Sequence, residues 1–419
     1  MKNNSSNEEI QFTGDDVDIL RRLGTLVAPH TLYMVGGCVR DKFLRKKEIG
    51  DIDIASTISV TELKKRIEGS GFKVVGIIEN TGTAIIKYLE HKYEYTRFRK
   101  DLYKQESGEH KPEKVVFVDN IKIDAERRDF KVNAIYRDVV SGEIVDPLGG
   151  VQEIENKILS TTRNPENVFE EDGLRLMRLA RFVGQLGFEI EEKTLDKAKE
   201  NVWRIKDIAS ERILDELSKM LALGGKKTVQ ALKTIFQIGL DKYVLDISTK
   251  VEDVEYLISD ESDMVARWGI LFMNVGDEEK IKLYFQKMGA SKKLATEVAR
   301  VCFIYNKQAS DKVELMKFII ENQEVIPNLI SFNRILNRLE LAKELEETLK
   351  QMKYDKVPMS IKELPLNGQD LIDLGIPNIM RGKVLNDLLM AILSDFTLRD
   401  RDLAMKYVKE KYNTEKTTK

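Results

Sequence analysis

Apolar positions along the chain follow two periods. In the first third they gather in short runs, LYMV at 32–35, IDIA at 52–55, FKVVGII at 72–78, TAIIKY at 83–88 and YEYTRF at 93–98. Runs of this length, rich in β-branched and aromatic residues, predict strands. Between two of them Ser59 suits a helix N-cap, with Leu63 and Ile67 spaced to bury one face of the helix that follows. A small mixed sheet with interspersed helices is expected there. From about residue 150 the period becomes helical, as in LRLMRLARFVGQLG and SERILDELSKMLALG, and stays so nearly to the end. The class is therefore α+β, an α/β head followed by an all-helical extension. At 419 residues the chain divides into roughly two to four packing units.

Polar punctuation refines this layout. The stretch from Lys100 to Lys114 is polar, contains Gly108 and Pro112, and reads as a surface loop between strands. A second break, YDKVPMSIKELPLNG at 354–368, joins the body to a last helical unit, and the Lys-rich end reads as a solvated tail. No apolar run approaches the roughly 18 residues of a membrane span, and the first ten residues lack a secretory layout. A cytoplasmic protein without membrane association is expected. Cys38 and Cys302 match no metal-ligand spacing, and His30, His91 and His110 are scattered, which argues against zinc and against histidine-based chemistry. Net charge is −2, so a nucleic-acid partner would have to be held by local basic patches.

Chemistry concentrates in three segments. In GGCVRDKFLRKKEIGDIDIA, Gly36 and Gly37 follow one strand, and Asp51 and Asp53 lie on the next. Strand side chains alternate, so both carboxylates face one way and can share hard cations such as Mg²⁺, which take carboxylate oxygens and leave positions for phosphates. The glycines permit close backbone approach to a triphosphate, and Arg40 adds a charged donor. Glu94, on a neighbouring strand, is a candidate third acidic ligand; the alternative is a charged edge-strand residue. In DAERRDFKVNA, Arg128, Asp129 and Asn133 can clamp a nucleotide's phosphate and sugar, or else form a solvated helix face.

The third segment is EDGLRLMRLARF, where Asp172, Arg175, Arg178 and Arg181 recur every three residues and are expected to stripe one helix. Cytosine and adenine each present an amino donor beside an unprotonated ring nitrogen, whereas uracil and guanine present a carbonyl beside a ring N–H. One carboxylate plus one guanidinium therefore complements C and A and mismatches U and G. The alternative is an ordinary Asp172–Arg175 salt bridge within the helix.

In this order the three segments resemble the class II tRNA nucleotidyltransferase and bacterial poly(A) polymerase superfamily. The resemblance covers roughly residues 31 to 220, including DPLGG at 146–150 and SERILDEL at 210–217, while LNGQDLIDLGIP is similar to the C-terminal unit of that family. It implies a polymerase-β-like nucleotidyltransferase head (1–145), a helical neck with the base-selecting motif (146–215), a helical body (216–335) and a helical tail (336–419). It implies Mg²⁺ on Asp51 and Asp53, with Gly37, Arg40 and Arg128 holding the nucleotide. By the same resemblance Asp172 and Arg175 select the base, and Arg178 and Arg181 complete the nucleotide site. The expected activity is addition of CMP and AMP from CTP and ATP to the tRNA 3′ end, with the tRNA acceptor arm as partner and no stable protein partner.

Alternatives are a CC- or A-adding partial enzyme, a bacterial poly(A) polymerase, and a catalytically silent RNA-binding protein of the same fold. The loop from Arg99 to Pro112 stands where the family has the flexible element used in switching from C to A, and its retention argues against CC-only addition. The family usually has Gly where Arg45 stands, Thr where Lys131 stands and an Arg near His110 and Lys111. Gly76 is followed by Ile77 and Ile78 rather than by the two basic residues and Phe of poly(A) polymerases, which favours CCA addition.

Overall fold

The expected strands of the first third form within two residues of their sequence positions and build one mixed sheet. The computed structural model describes residues 14–46, 50–103, 112–245 and 248–412. They fall into two compact units, Met1–Leu245 and Asp246–Lys419. In the first, helix α1 (Asp15–Leu26) precedes β1 (Leu32–Val35), α2 (Gly37–Phe43), β2 (Asp53–Ser56), α3 (Val60–Arg66), β3 (Lys73–Ile78), β4 (Thr83–Tyr88) and β5 (His91–Arg97). A hairpin follows, β6 (Arg99–Leu102) and β7 (Lys114–Phe117), then α4 (Ile121–Glu126), β8 (Tyr136–Asp138) and β9 (Ile144–Val145).

The sheet order is β3-β4-β5-β2-β1-β8-β9. β2 lies near its centre, antiparallel to β1 and parallel to β5, with Val35 opposite Asp53 and Asp53 opposite Glu94. Ile54, Ala55 and Ser56 are buried, which leaves Asp53 at the strand's open end. Ser59 caps α3 by accepting the Glu62 N–H at 3.2 Å, a contact that typically stabilises a helix by about 1 kcal/mol. Both cysteines are buried. The paired bases of β6 and β7 frame the polar loop; residues 104–111, His110 and Lys111 among them, lie outside the described residues, as do the first 13 and last seven.

The helical part of this unit comprises α5 (Gly150–Asn156), α6 (Pro165–Glu171), α7 (Leu174–Leu186), α8 (Glu192–Glu200), α9 (Ser210–Ala222) and α10 (Gly225–Ile238). A two-residue parallel pair, Ile158–Leu159 with Glu189–Ile190, interrupts them. Helix α9 runs through the border expected at 215/216. The DPLGG segment has a local role: Asp146 accepts the N–H groups of Gly150 and Val151, both at 2.9 Å, and so satisfies the first free donors of α5 from outside the helix.

The second unit is helical throughout its described residues. Trp268 and Phe272, from helix Met264–Phe272, meet Phe285 of helix Glu278–Lys287 with ring centroids 5.3 Å apart in each case. Asp263, Asp277, Ser291 and Asp311 each N-cap a helix. After the 354–368 break, Asn367 and Asp370 form a reciprocal capping box that starts the last group of helices, packed around Leu371, Val384, Leu388 and Ile392. No helix among the described residues is long and apolar enough to cross a membrane.

One departure from the family pattern has a backbone correlate. Arg45, two residues past the end of α2, has φ +54°, the left-handed region where a Cβ is disfavoured and glycine is the usual occupant. Replacing Arg45 with Gly should raise stability by about 0.5–1 kcal/mol. The measurement is an upward shift of the urea midpoint at unchanged slope; a downward shift would show that contacts of the arginine side chain outweigh the backbone strain.

Candidate active site

Beside the open end of β2 lies a cavity of about 870 Å³, within the 300–1,000 Å³ typical of ligand sites. Its lining includes Gly36, Gly37, Arg40, Asp51, Asp53, Glu94, Arg128, Asp129, Asn133, Asp172, Arg175, Arg178 and Arg181, so all the candidate residues of the three segments surround one space.

The acidic wall comes from the sheet. Asp51, expected on the strand with Asp53, instead precedes β2 and is exposed; Asp53 begins the strand and is half-buried, and Glu94 stands beside Asp53 on β5. On β5 the flanking Tyr93 and Tyr95 point into the core, so alternation turns Glu94 outward. Gly36 closes against this wall with φ +84°; a Cβ there would sit 3.6 Å from an Asp53 carboxylate oxygen. Burial, reinforced by Glu94 and Asp51 and opposed by Arg128 and Arg178, pushes the Asp53 carboxyl up to about 6.

The second segment does not continue as a helix. Helix α4 stops at Glu126, and Arg127, Arg128 and Asp129 occupy a turn before one 3₁₀ turn at Lys131–Asn133. The solvated-helix alternative therefore does not describe it. Arg128 lies over the Tyr136 ring at 5.3 Å, donates to its hydroxyl at 3.1 Å and pairs with buried Asp124 at 3.3 Å. Asn133 accepts from Arg40 at 2.5 Å and donates to Asp129 at 3.1 Å. Asp129 also accepts the Phe130 N–H at 2.8 Å and the Arg178 guanidinium at 2.7 and 2.8 Å. Burial alone would raise its carboxyl, but Arg178, Asn133 and the Phe130 N–H outweigh burial and hold it at about 2. These four contacts saturate Asp129 and make it the joint between the sheet and α7.

The third segment is not one continuous stripe. Asp172 has extended backbone between α6 and α7, and only Arg175, Arg178 and Arg181 ride on the helix. The break falls at Asp172; Gly173, the next residue, is already helical in backbone and must lack a side chain, since a Cβ would lie 2.6 Å from the Arg204 carbonyl oxygen. Asp172 and Arg175 accordingly have separate partners. Arg175, 7% exposed, donates to the carbonyls of Val168 at 3.0 Å and Arg127 at 2.8 Å and pairs with Glu171 at 3.3 Å. Asp172 accepts from Leu174 N at 3.0 Å and from Arg212 at 3.1 Å.

Some residues in the cavity wall, and one behind it, Glu216, escaped the sequence reading. Phe182 lies under Arg40 and Arg178, each 5.3 Å from its centroid, and under Arg181 at 4.4 Å. Glu216, buried on α9, pairs with Arg181 at 2.6 Å and approaches Arg178 to 3.7 Å. Arg212 lies one turn before it. SERILDEL carried both residues, and an acid at a position of apolar period was the signal available for Glu216.

The raised Asp53 carboxyl has a thermodynamic sign. The folded state holds this proton more tightly than the unfolded chain, so stability falls as pH rises from about 4 to about 6, and the full loss persists above that. Asp53→Asn should therefore stabilise the chelator-treated protein by roughly 1–2 kcal/mol at neutral pH, and by less at pH 5. Urea unfolding at the two pH values checks this, and an equal gain at both would contradict it.

Sequence comparison places residues 32–160 in the family described as the poly A polymerase head domain, and residues 187–247 in the probable RNA and SrmB-binding site of polymerase A. The chain is 31% identical over 397 residues to the CCA-adding enzyme of Limosilactobacillus reuteri, covering 91% of this chain and 93% of that one. It is 30% identical over 349 residues to the CCA-adding enzyme of Bacillus pumilus, covering 81% and 82%. Its fold is similar to that of the Bacillus stearothermophilus CCA-adding enzyme in complex with CTP, with a TM-score of 0.79 and 23% identity over 96% of this chain and 99% of that one. With its carboxylate strand, its arginine helix and relatives of this identity spanning nearly their whole length, the chain belongs to the class II tRNA nucleotidyltransferases, in the family of CCA-adding enzymes.

Proposed function

We propose that the chain completes tRNA 3′ ends by transferring CMP and AMP from CTP and ATP without a nucleic-acid template, and that the cavity beside β2 is where it does so. The observation carrying this reading is the meeting of the acidic wall, Asp51, Asp53 and Glu94, with the arginines of α7 across one space. Nucleotidyl transfer needs both: carboxylates near the attacking and leaving oxygens, and guanidiniums near the triphosphate.

The 3′-oxygen of the tRNA attacks the α-phosphorus, the bond from that phosphorus to the bridging oxygen breaks, and pyrophosphate leaves. Arg40, Arg128, Arg178 and Arg181 face the phosphates, and Asp129 and Asn133 hold two of these arginines in place. The donor set suits Mg²⁺. Two carboxylates separated by one residue, one of them pushed up by burial and by the neighbouring Glu94 and Asp51 in spite of Arg128 and Arg178, favour a hard divalent cation. Among the described residues no three such ligands converge, so phosphate and water would complete the coordination. Bound there, the cation would polarise the hydroxyl and offset charge on the leaving phosphates. Glu94 adds negative charge beside Asp53 from the paired strand.

Base selection is assigned to Asp172 and Arg175. Neither is spent on the other, so the intrahelical salt bridge that was the alternative reading does not compete for their polar edges. A carboxylate acceptor beside a guanidinium donor matches C and A. In the four-part reading, head 1–145 and neck 146–215 perform the chemistry, while body 216–335 and tail 336–419 hold the acceptor arm by shape and phosphate contacts. The reaction belongs in the cytoplasm.

Purified protein incubated with tRNA lacking CCA and with single nucleotides should incorporate CTP first and then one ATP. Long A tracts, or ATP use only on CC-ended tRNA, would replace the reading with polyadenylation or A addition. Asp51→Ala should lower incorporation on the order of a thousandfold or more with its thermal unfolding little changed. Unaltered incorporation by that variant would remove the carboxylate site from the mechanism.

A further inference from the structure

The two halves of the base-reading pair are held very differently. Arg175 is gripped by two backbone carbonyls, one from α6 and one from the Arg127 turn, and is almost fully buried. Asp172 has one backbone donor, Leu174 N, on Oδ1, and one side-chain donor, Arg212 Nη2, on Oδ2. Arg212 stands at the start of α9 with 45% of its side chain exposed, and Glu216, one turn later on that helix, holds Arg181. Helix α9 thus offers a cation to the acidic member of the neck motif and an anion to its basic members.

We propose that Arg212 is a specificity-determining positioning residue, which fixes the Asp172 carboxylate so that its acceptor lone pairs meet the amino group of the incoming base. The inference rests on the reading of Asp172 as a base selector. A carboxylate anchored at one oxygen by a single N–H can rotate about its Cβ–Cγ bond. A second donor on the other oxygen removes that freedom, and because a carboxylate has about four acceptor sites, two remain for the base. The geometry decides discrimination as well as affinity. A displaced carboxylate leaves room for a bridging water, which donates or accepts equally well, so a carbonyl-bearing base is no longer penalised by an unpaired polar group.

The test compares kcat/KM for CTP and UTP on tRNA lacking its 3′ end, in the full-length protein and in the variants Arg212→Ala, Arg212→Gln, Arg212→Lys and Asp172→Ala. Arg212→Ala should lower the CTP-to-UTP ratio by about tenfold or more, raising KM for CTP more than it lowers kcat. Arg212→Gln should show the same fall, and carries the test should the alanine variant fold poorly. Arg212→Lys should recover part of the ratio, since it restores the charge without the planar fork. If both neutral variants keep a ratio within about twofold of the parent while Asp172→Ala collapses it, this proposal fails and the base-selector reading stands. If Asp172→Ala also keeps the ratio, both fail. A loss of kcat at constant ratio would reduce Arg212 to a structural role and likewise overturn the inference.

Discussion

The arrangement depends on one ion pair, buried Asp129 with the partly exposed Arg178, at 2.7 to 2.8 Å. Asp129 belongs to the turn that follows α4, next to the sheet, and Arg178 to the middle of α7. The pair is therefore the fastening between the wall that carries the carboxylates and the helix that carries the guanidiniums. Removing the arginine would leave the Asp129 charge buried and short of its main partner, a loss that reaches about 3–5 kcal/mol where both members are buried and is smaller where one is partly solvated. Such a fastening is also directional: the Arg178 fork meets one carboxylate oxygen, while Asn133 and the Phe130 N–H hold the other. The spacing between the two reactive walls is thus fixed by hydrogen-bond geometry as well as by packing.

Around that joint, charges are satisfied unevenly. Asp124 and Asp129 are each surrounded by several donors and held below the usual carboxylate range. Asp53 stands among other carboxylates and is held above it. The contrast separates supporting acids from the acid left exposed to chemistry, in the sense that perturbed groups gather at functional sites. Glu216 extends the support to α9, so α7 is braced by Asp129 beside the sheet and by Glu216 on α9, which approaches Arg178 and pairs with Arg181.

How much was legible in the sequence varied with the type of constraint. Strands declared themselves through short β-branched runs, and Ser59 announced α3, because both signals are local. Arg175, Arg178 and Arg181 were legible because their spacing follows the period of α7, whereas Asp51 and Asp172 came to the same cavity from outside the strand and helix to which their spacing assigned them. The break at Asp172 was not, because i to i+3 spacing was read as one helix; the glycine after it answers to the Arg204 carbonyl, some thirty residues on, which leaves no room for a side chain. The hairpin Arg99–Leu102 with Lys114–Phe117 was hidden by charged residues, which an edge ribbon tolerates. Arg212 and Phe182 gave no individual signal, since an exposed arginine and an apolar helical residue are ordinary; only their placement against Asp172 and three guanidiniums distinguishes them.

The ring of Phe182 gathers three like charges within 5.3 Å of its centre. Its π face offers each cation a modest attraction, and Asp41, Asp129 and Glu216, one beside each guanidinium, offset most of their mutual repulsion. On the proposed reading the same three cations would meet a polyphosphate whether it arrives as triphosphate or remains as pyrophosphate. A pocket that draws substrate in this way would also hold the spent product, and its turnover would then depend on how readily fresh nucleotide displaces it.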